Sequence, residues 1–260
     1  MANALIGATG FVGGSLLRQT TFAGHFHSRN IGELAARQFD LIVCAGAPAQ
    51  KWIANKDPAA DRARLVSLRD AIGKVRCGRF VLISTVDVFA KAVEVDEGTT
   101  PDLHSLSAYG LHRLELENLV RDRFADALIV RLPGLVGPGL RKNAIFDLHH
   151  DNNVGAIDSR SRFQFYPMIQ LWNDLSIAME HGLRLLHLTA APMTIAEIAK
   201  DAFEMDFENR LAGVPAEYDF KTRHAGIFGG VANYQYSRRE SMMAIRAYRQ
   251  SEARSTGAKT

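Results

Sequence analysis

Cysteine is almost absent from this chain: Cys44 and Cys77 are the only two in 260 residues. Two thiols cannot staple a fold of this size, which excludes a disulfide scaffold and makes a reducing cytoplasm the expected location. Long apolar runs are missing too. No stretch approaches the roughly 18 apolar residues a membrane span needs, and the N-terminal MANALIGATG lacks the charged start and apolar run of an export signal. Neither export nor a membrane partner is expected. An excess of one charge is also lacking. The formal net charge is +3, and Lys and Arg are scattered rather than gathered into a stripe with aromatics, so nucleic acid is not an expected partner. There is no internal repeat or low-complexity block. Hydrophobic residues, by contrast, make up 47% of the chain, enough to bury one large domain with a smaller appendage.

Short apolar runs alternate with longer amphipathic ones. Strands are expected at 3–6, 22–27, 40–44, 79–84, 127–132 and 184–188, and helices at 13–19, 58–74, 108–123 and 195–203. LIVCAG and FVLIST are continuously apolar, as in parallel strands covered on both faces, with Cys44 inside the first. The expected fold is therefore α/β, a doubly wound parallel sheet of Rossmann-like type. After Gly139 the rhythm breaks into HHDNNVGAIDSRSRF. Residues 1–139 then form a dinucleotide-binding domain, its sheet completed by later strands. Residues 140–250 form a small substrate lobe interleaved with it, and 251–260 a flexible tail.

LIGATGFVGG places glycines where a strand meets a helix. Gly7, Gly10 and Gly13 permit a tight turn, close approach of backbone to a pyrophosphate and tight helix packing, while Thr9, Phe11 and Val12 complete a loop whose amides face the phosphates. The second strand ends in FHSRN, with Ser28 and Arg29 where an acid would otherwise meet a ribose diol. A hydroxyl and a guanidinium suit a 2′-phosphate better, so NADP is the expected cofactor and NAD the alternative. VLISTVDVFA ends a buried strand with Ser84, Thr85 and Asp87, at the carboxyl edge where open parallel sheets bind ligands. The following helix carries the stripe Tyr109, Arg113, Leu116, Val120, its polar end directed at that edge.

In order, GATGFVGG, ISTVDVF, SAYGLHRLELE, RLPGLVGPGLRKN and LHLTAAPMTIAEIAKDAF resemble the successive motifs of the extended short-chain dehydrogenase/reductase family, NAD(P)-dependent epimerases, dehydratases and reductases acting mostly on nucleotide sugars. The resemblance covers about residues 3–203. It implies that Thr85 holds a substrate oxygen, with Ser84 as helper, and that Tyr109 transfers the proton. It further implies that Ala45, Gly46, Ala47 and Pro133 join Tyr109 and Arg113 at the cofactor, and that two copies pair through the helices at 58–74 and 108–123, using Leu111, Leu114 and Leu119. Where the family has lysine this chain has Arg113, a permanent planar cation able to favour a tyrosinate but not to imitate a compact ammonium in a proton relay.

Other residues point less sharply. Asp87, Arg141 and Asn143 are substrate candidates, Arg141 and Asn143 because the family approaches a substrate diphosphate there. His149, His150 and Asp151 lack paired metal-ligand spacing, so no metal is assigned. Phe165, Ile169 and Trp172 fall at helical intervals and are expected in the core. Dehydratases of the family carry an acid pair after the active threonine, whereas here Val86 precedes the single Asp87, which favours simple hydride transfer. The sequence thus reads as an NADP-dependent reductase or epimerase of a sugar-like, nucleotide-linked substrate. The alternative, prompted by Arg113, is a non-catalytic dinucleotide-binding regulatory or redox-sensing protein.

Overall fold

The computed structural model describes residues 2–253. In chain order the first half contains β1 (Asn3–Ile6), α1 (Phe11–Gln19), β2 (Gly24–Phe26), β3 (Gln38–Cys44), α2 (Lys51–Lys56), α3 (Pro58–Lys74), β4 (Arg76–Thr85), β5 (Val93–Val95), α4 (Ala108–Arg123) and β6 (Ala127–Leu132). There follow β7 (Gly134–Val136), α5 (Ala144–His150), β8 (Arg162–Phe163), β9 (Phe165–Pro167), α6 (Leu171–Glu180), β10 (Leu185–His187), β11 (Met193–Thr194), α7 (Ile195–Phe203), β12 (Asp219–Phe220) and α8 (Arg238–Ser251). No helix among the described residues is long and apolar enough to cross a membrane.

The chain divides into two compact units, one of Met1–Ala90, Glu97–Leu132 and Trp172–His187, the other of Lys91–Asp96, Pro133–Leu171 and Leu188–Thr260. The first is built on a parallel sheet of order β10-β6-β4-β3-β1-β2, a Rossmann-like α/β arrangement. The chain leaves β1 for β2 on one side and then crosses to β3 on the other, so β1 and β3 bound the switch point at which such sheets open a crevice. Alternate residues Ala4, Ile6, Ile42, Cys44, Phe80, Leu82, Ala127 and Ile129 join Leu65, Leu68 and Ile72 of α3 and Leu116 and Val120 of α4 in one buried cluster. Their neighbours Leu5, Val43, Val81 and Leu128 are equally buried on the other face, which accounts for the unbroken apolar runs. Burial pushes the Cys44 thiol up to about 12 and the Cys77 thiol up to about 11, so neither ionises at neutral pH.

In the second unit, short strands pair two by two: β5 with β12, β7 with β9, and β8 with β11. The pairing with β12 draws Lys91–Asp96 into this unit, and that of β7 with β9 puts the crossing at Pro133 rather than after Gly139. Capping boxes at Thr194 and Ser237 start α7 and α8. Ser251 closes α8, and Glu252 accepts from the Gly139 amide at 2.8 Å, so the expected tail is structured at its start; residues 254–260 lie outside the described ones. The segment around Ile169 departs from expectation. Phe165 is buried, but in a strand, and Trp172 meets the Phe22 ring edge-on at 5.7 Å. Ile169 is 61% exposed, because a change from strand to helix within five residues breaks the helical spacing.

A charged group lies inside the first unit. Glu117 of α4 is fully buried and takes two hydrogen bonds from Arg131 of β6, at 3.0 and 2.7 Å, and further ones from the Ser84 hydroxyl at 2.6 Å and Arg121 at 2.9 Å. Arg131 also lies 3.3 Å from His187 Nε2 and over the Phe89 ring. Removing one member leaves its partner charged in a dry interior. Glu117→Leu is expected to cost about 3 to 5 kcal/mol in urea unfolding, and the double variant Glu117→Leu, Arg131→Met to recover most of that loss. Equal loss in both would show that packing, not charge, is at stake.

Candidate functional site

The glycine loop links β1 to α1. Gly7 has φ +88°, and a Cβ there would lie 2.4 Å from the Ala45 carbonyl oxygen; a Cβ on Gly13 would lie 2.1 Å from that of Gly7. Both glycines are demanded by the protein's own packing. Gly10 differs: its Cβ would come no closer than 3.4 Å to anything, and the residue is exposed. Gly10 is also the N-cap of α1, with no side-chain cap and no acid in the first turn, so the starting amides of Phe11, Val12 and Gly13 meet no protein anion. A glycine with room above it, at an uncapped helix start, fits a pyrophosphate.

Beside this loop, the Ala45 amide donates to Ile6, and Ala45, Gly46 and Ala47 follow the carboxyl end of β3, half-buried. Past β2, Asn30 accepts from the His27 amide at 2.8 Å and the Arg29 amide reaches His27 Nδ1 at 3.2 Å. That turn leaves the side chains of Ser28 and Arg29 exposed.

At the end of β4, Thr85 accepts from the Asp87 amide at 3.2 Å, and its hydroxyl lies 3.3 Å from Asp87 Oδ2. The same hydroxyl acts on the Tyr109 phenol, favouring its ionised form. Helix α4 is pressed against this loop: a Cβ on Gly110 would lie 2.1 Å from the Asp87 carbonyl oxygen. Asn55 of α2 accepts from the Tyr109 amide at 3.0 Å, and Ser107 caps the helix start. Thr85, Asp87 and Tyr109 are thus brought together as a group.

Arg113 is buried with its guanidinium 4.1 Å from the centre of the Tyr109 ring. It donates to both oxygens of Asp61 on α3 and to the Pro48 carbonyl, while Asp61 also takes His112 Nδ1 at 2.8 Å. Burial alone would raise the Asp61 pKa, but hydrogen bonds and charge from Arg113 and His112 prevail and hold it below the ordinary carboxylate range. Arg113 is therefore a clamped cation stacked on the phenol. Its effect on Tyr109 is smaller than expected. Burial, assisted by Asp87, pushes the phenol above its ordinary value despite the opposing pull of Arg113, Thr85 and Lys51. Arg113 favours the tyrosinate, but desolvation outweighs it.

Ser84 is not part of the group. Its side chain turns inward to Glu117, as alternation along a strand requires. Pro133, Arg141 and Asn143 belong to the second unit. Asn143, at φ 113°, caps α5 by accepting from Ile145 and Phe146 and donates to Leu135 at 2.8 Å, which occupies its amide; Arg141 is exposed. His149 and His150 close α5, where His149 Nε2 lies 3.0 Å from the Glu252 carbonyl and its ring meets Tyr248. Three residues of the first unit escaped sequence reasoning: Lys51, Asp61 and Glu117. Asp61 was detectable, since it shares a helical stripe with the buried Leu65, Leu68 and Ile72, and a charge at a core position implies a partner. Lys51 carried no such signal.

The sequence model of the NAD dependent epimerase/dehydratase family matches residues 26–150. No curated protein matches the chain. Among solved structures, RMD from Pseudomonas aeruginosa complexed with NADPH is similar at TM-score 0.74 and 17% identity, over 97% of this chain and 100% of its own. The dTDP-4-dehydrorhamnose reductase of Clostridium acetobutylicum gives 0.71 and 16%, over 95% and 98%. The UDP-glucose 4-epimerase of Thermotoga maritima, with UDP-glucose, gives 0.72 and 13%, over 96% and 99%. At such identities the likeness is one of fold.

The two kinds of glycine should separate in experiment. Gly13→Ala is expected to lower the melting temperature clearly, whereas Gly10→Ala should leave it unchanged and weaken NADPH binding about tenfold or more. Calorimetric titration of a folded Gly10→Ala protein that showed undiminished affinity would place the phosphates elsewhere.

Proposed function

We propose, from the match of the NAD dependent epimerase/dehydratase family to residues 26–150, that this chain is an NADP-dependent reductase of a keto sugar carried on a nucleotide. The observation that carries the reading is the placing of Thr85 at the carboxyl end of β4 beside the start of α4, which carries Tyr109 and packs through Gly110 on the Asp87 carbonyl. The dinucleotide fits the loop of Gly7, Gly10 and Gly13, with Ser28 and Arg29 toward a 2′-phosphate and Ala45 to Ala47 alongside. When bound, it supplies hydride to the substrate carbonyl carbon. Thr85 holds the carbonyl oxygen, and Tyr109 delivers a proton to it. A phenol whose pKa is raised stays protonated at neutral pH, the state that reduction requires, whereas an epimerase must first withdraw a proton. This supports reduction over epimerisation. The substrate class is taken from the fold neighbours, among them a dTDP-4-dehydrorhamnose reductase and a UDP-glucose 4-epimerase.

Pairing of two copies through α3 and α4 stays part of the proposal. Leu114 is already buried within the chain, which leaves exposed Val66 with half-buried Leu111 and Leu119 for such a contact. Sedimentation is expected to give a dimer at micromolar concentration, and Val66→Glu to shift it toward monomer; a monomeric intact protein would remove the pairing.

Affinity for NADP(H) is expected to exceed that for NAD(H), with Arg29→Ala narrowing the difference about tenfold at fixed salt. On a panel of nucleotide-linked keto sugars, Tyr109→Phe should cut turnover at least about a hundredfold while leaving dinucleotide affinity unchanged. Tight dinucleotide binding without turnover across the panel would favour the regulatory alternative instead.

A further inference from the structure

The cation that replaces the family's lysine on α4 is immobilised. Arg113 has both terminal nitrogens committed to Asp61 and the Pro48 carbonyl, and its Nε is buried without a partner. A second cation also acts on the phenol, favouring its ionised form. Lys51, at the start of α2, lies 2.6 Å from Asp87 Oδ1 and is 46% exposed, while Asp87 Oδ2 faces the Thr85 hydroxyl at 3.3 Å. Helix α2 is tied to α4, since the Asn55 side chain accepts from the Tyr109 amide, and α4 packs through Gly110 on the Asp87 carbonyl.

The Thr85 hydroxyl has one proton, which it directs to Asp87 Oδ2 at 3.3 Å, and the same hydroxyl acts on the Tyr109 phenol beside it. An unneutralised Asp87 would draw that proton and leave the phenol facing a lone pair and a negative charge. With Lys51 bound, Asp87 is a weaker acceptor and the proton is available on the phenol side. Building on the reading of Tyr109 as proton donor, we propose that Lys51 is a positioning residue which, through Asp87, directs the Thr85 hydroxyl toward the reacting oxygens. Lys51 supplies the adjustable ammonium that Arg113 cannot. The charged groups facing Tyr109 are Lys51 from α2, Asp87 from the loop after β4 and Arg113 from its own helix, the last paired to Asp61 of α3.

The test reads the phenol directly and needs neither substrate nor dinucleotide, so its outcome is independent of whether NADPH binds or any sugar turns over. A fluorinated tyrosine that titrates near neutral pH is incorporated at position 109 and followed by fluorine NMR. Lys51→Met is expected to raise its pKa by about half a unit or more, and Lys51→Arg to restore most of the original value. In an Asp87→Asn background, Lys51→Met should move the pKa less than half as far, because the carboxylate that transmits the charge is gone. A pKa that ignores Lys51→Met, or an equal shift with and without Asp87, would overturn the proposal.

Discussion

The pose of α4 over the sheet is the constraint on which the site depends, and two buried ion pairs set it. Glu117 binds α4 to β6 through Arg131, and Arg113 binds it to α3 through Asp61. Desolvating four charges is costly, and well-packed apolar residues could supply as much stability. What apolar packing cannot supply is a single rotation and height for the helix. The two hydrogen bonds between Arg131 and Glu117 admit one register, and the Arg113 fork onto Asp61 admits another compatible with it. Tyr109 stands one turn before Arg113 and two before Glu117, so its phenol inherits both restrictions.

Electrostatically, the site combines a fixed and a movable component. Arg113 contributes a constant field over the aromatic ring, whereas Lys51 and Asp87 form a partly exposed pair that also acts on the phenol. Burial opposes both by favouring the neutral phenol. In the proposed reduction, a phenol protonated at rest would give up its proton to a developing oxyanion, and Arg113 and Lys51 would stabilise the phenolate left behind.

Much of the fold was legible in the sequence. Residues 3–6, 58–74, 108–123, 127–132 and 195–203 fall where their patterns placed them, since Asp57, Ser107 and Thr194 cap the helices and unbroken apolar runs mark the strands. Thr85 and Tyr109 were legible as strand-end and helix-start residues at a sheet edge. Ser84 was misjudged, because one step along a strand reverses its face. Helix α2 went unseen: it is short, and its largest apolar residue, Trp52, is 70% exposed, so no stripe announces it. Lys51 was invisible for the same reason, and its partner lies 36 positions away. Asn143 looked like a ligand-binding amide and proved to be a helix cap, which asparagine two residues before an apolar run also signals.

The contact of Gly110 with the Asp87 carbonyl joins main chain to main chain. Side chains elsewhere in the site can be exchanged without touching it, but no substitution at Asp87 relieves or replaces this contact, because its closest atom belongs to the backbone. Divergence can therefore rewrite the charges around the tyrosine while the spacing between the β4 loop and α4 persists. A chain of this kind is free to change which residue carries the cation long before it can change where the phenol stands.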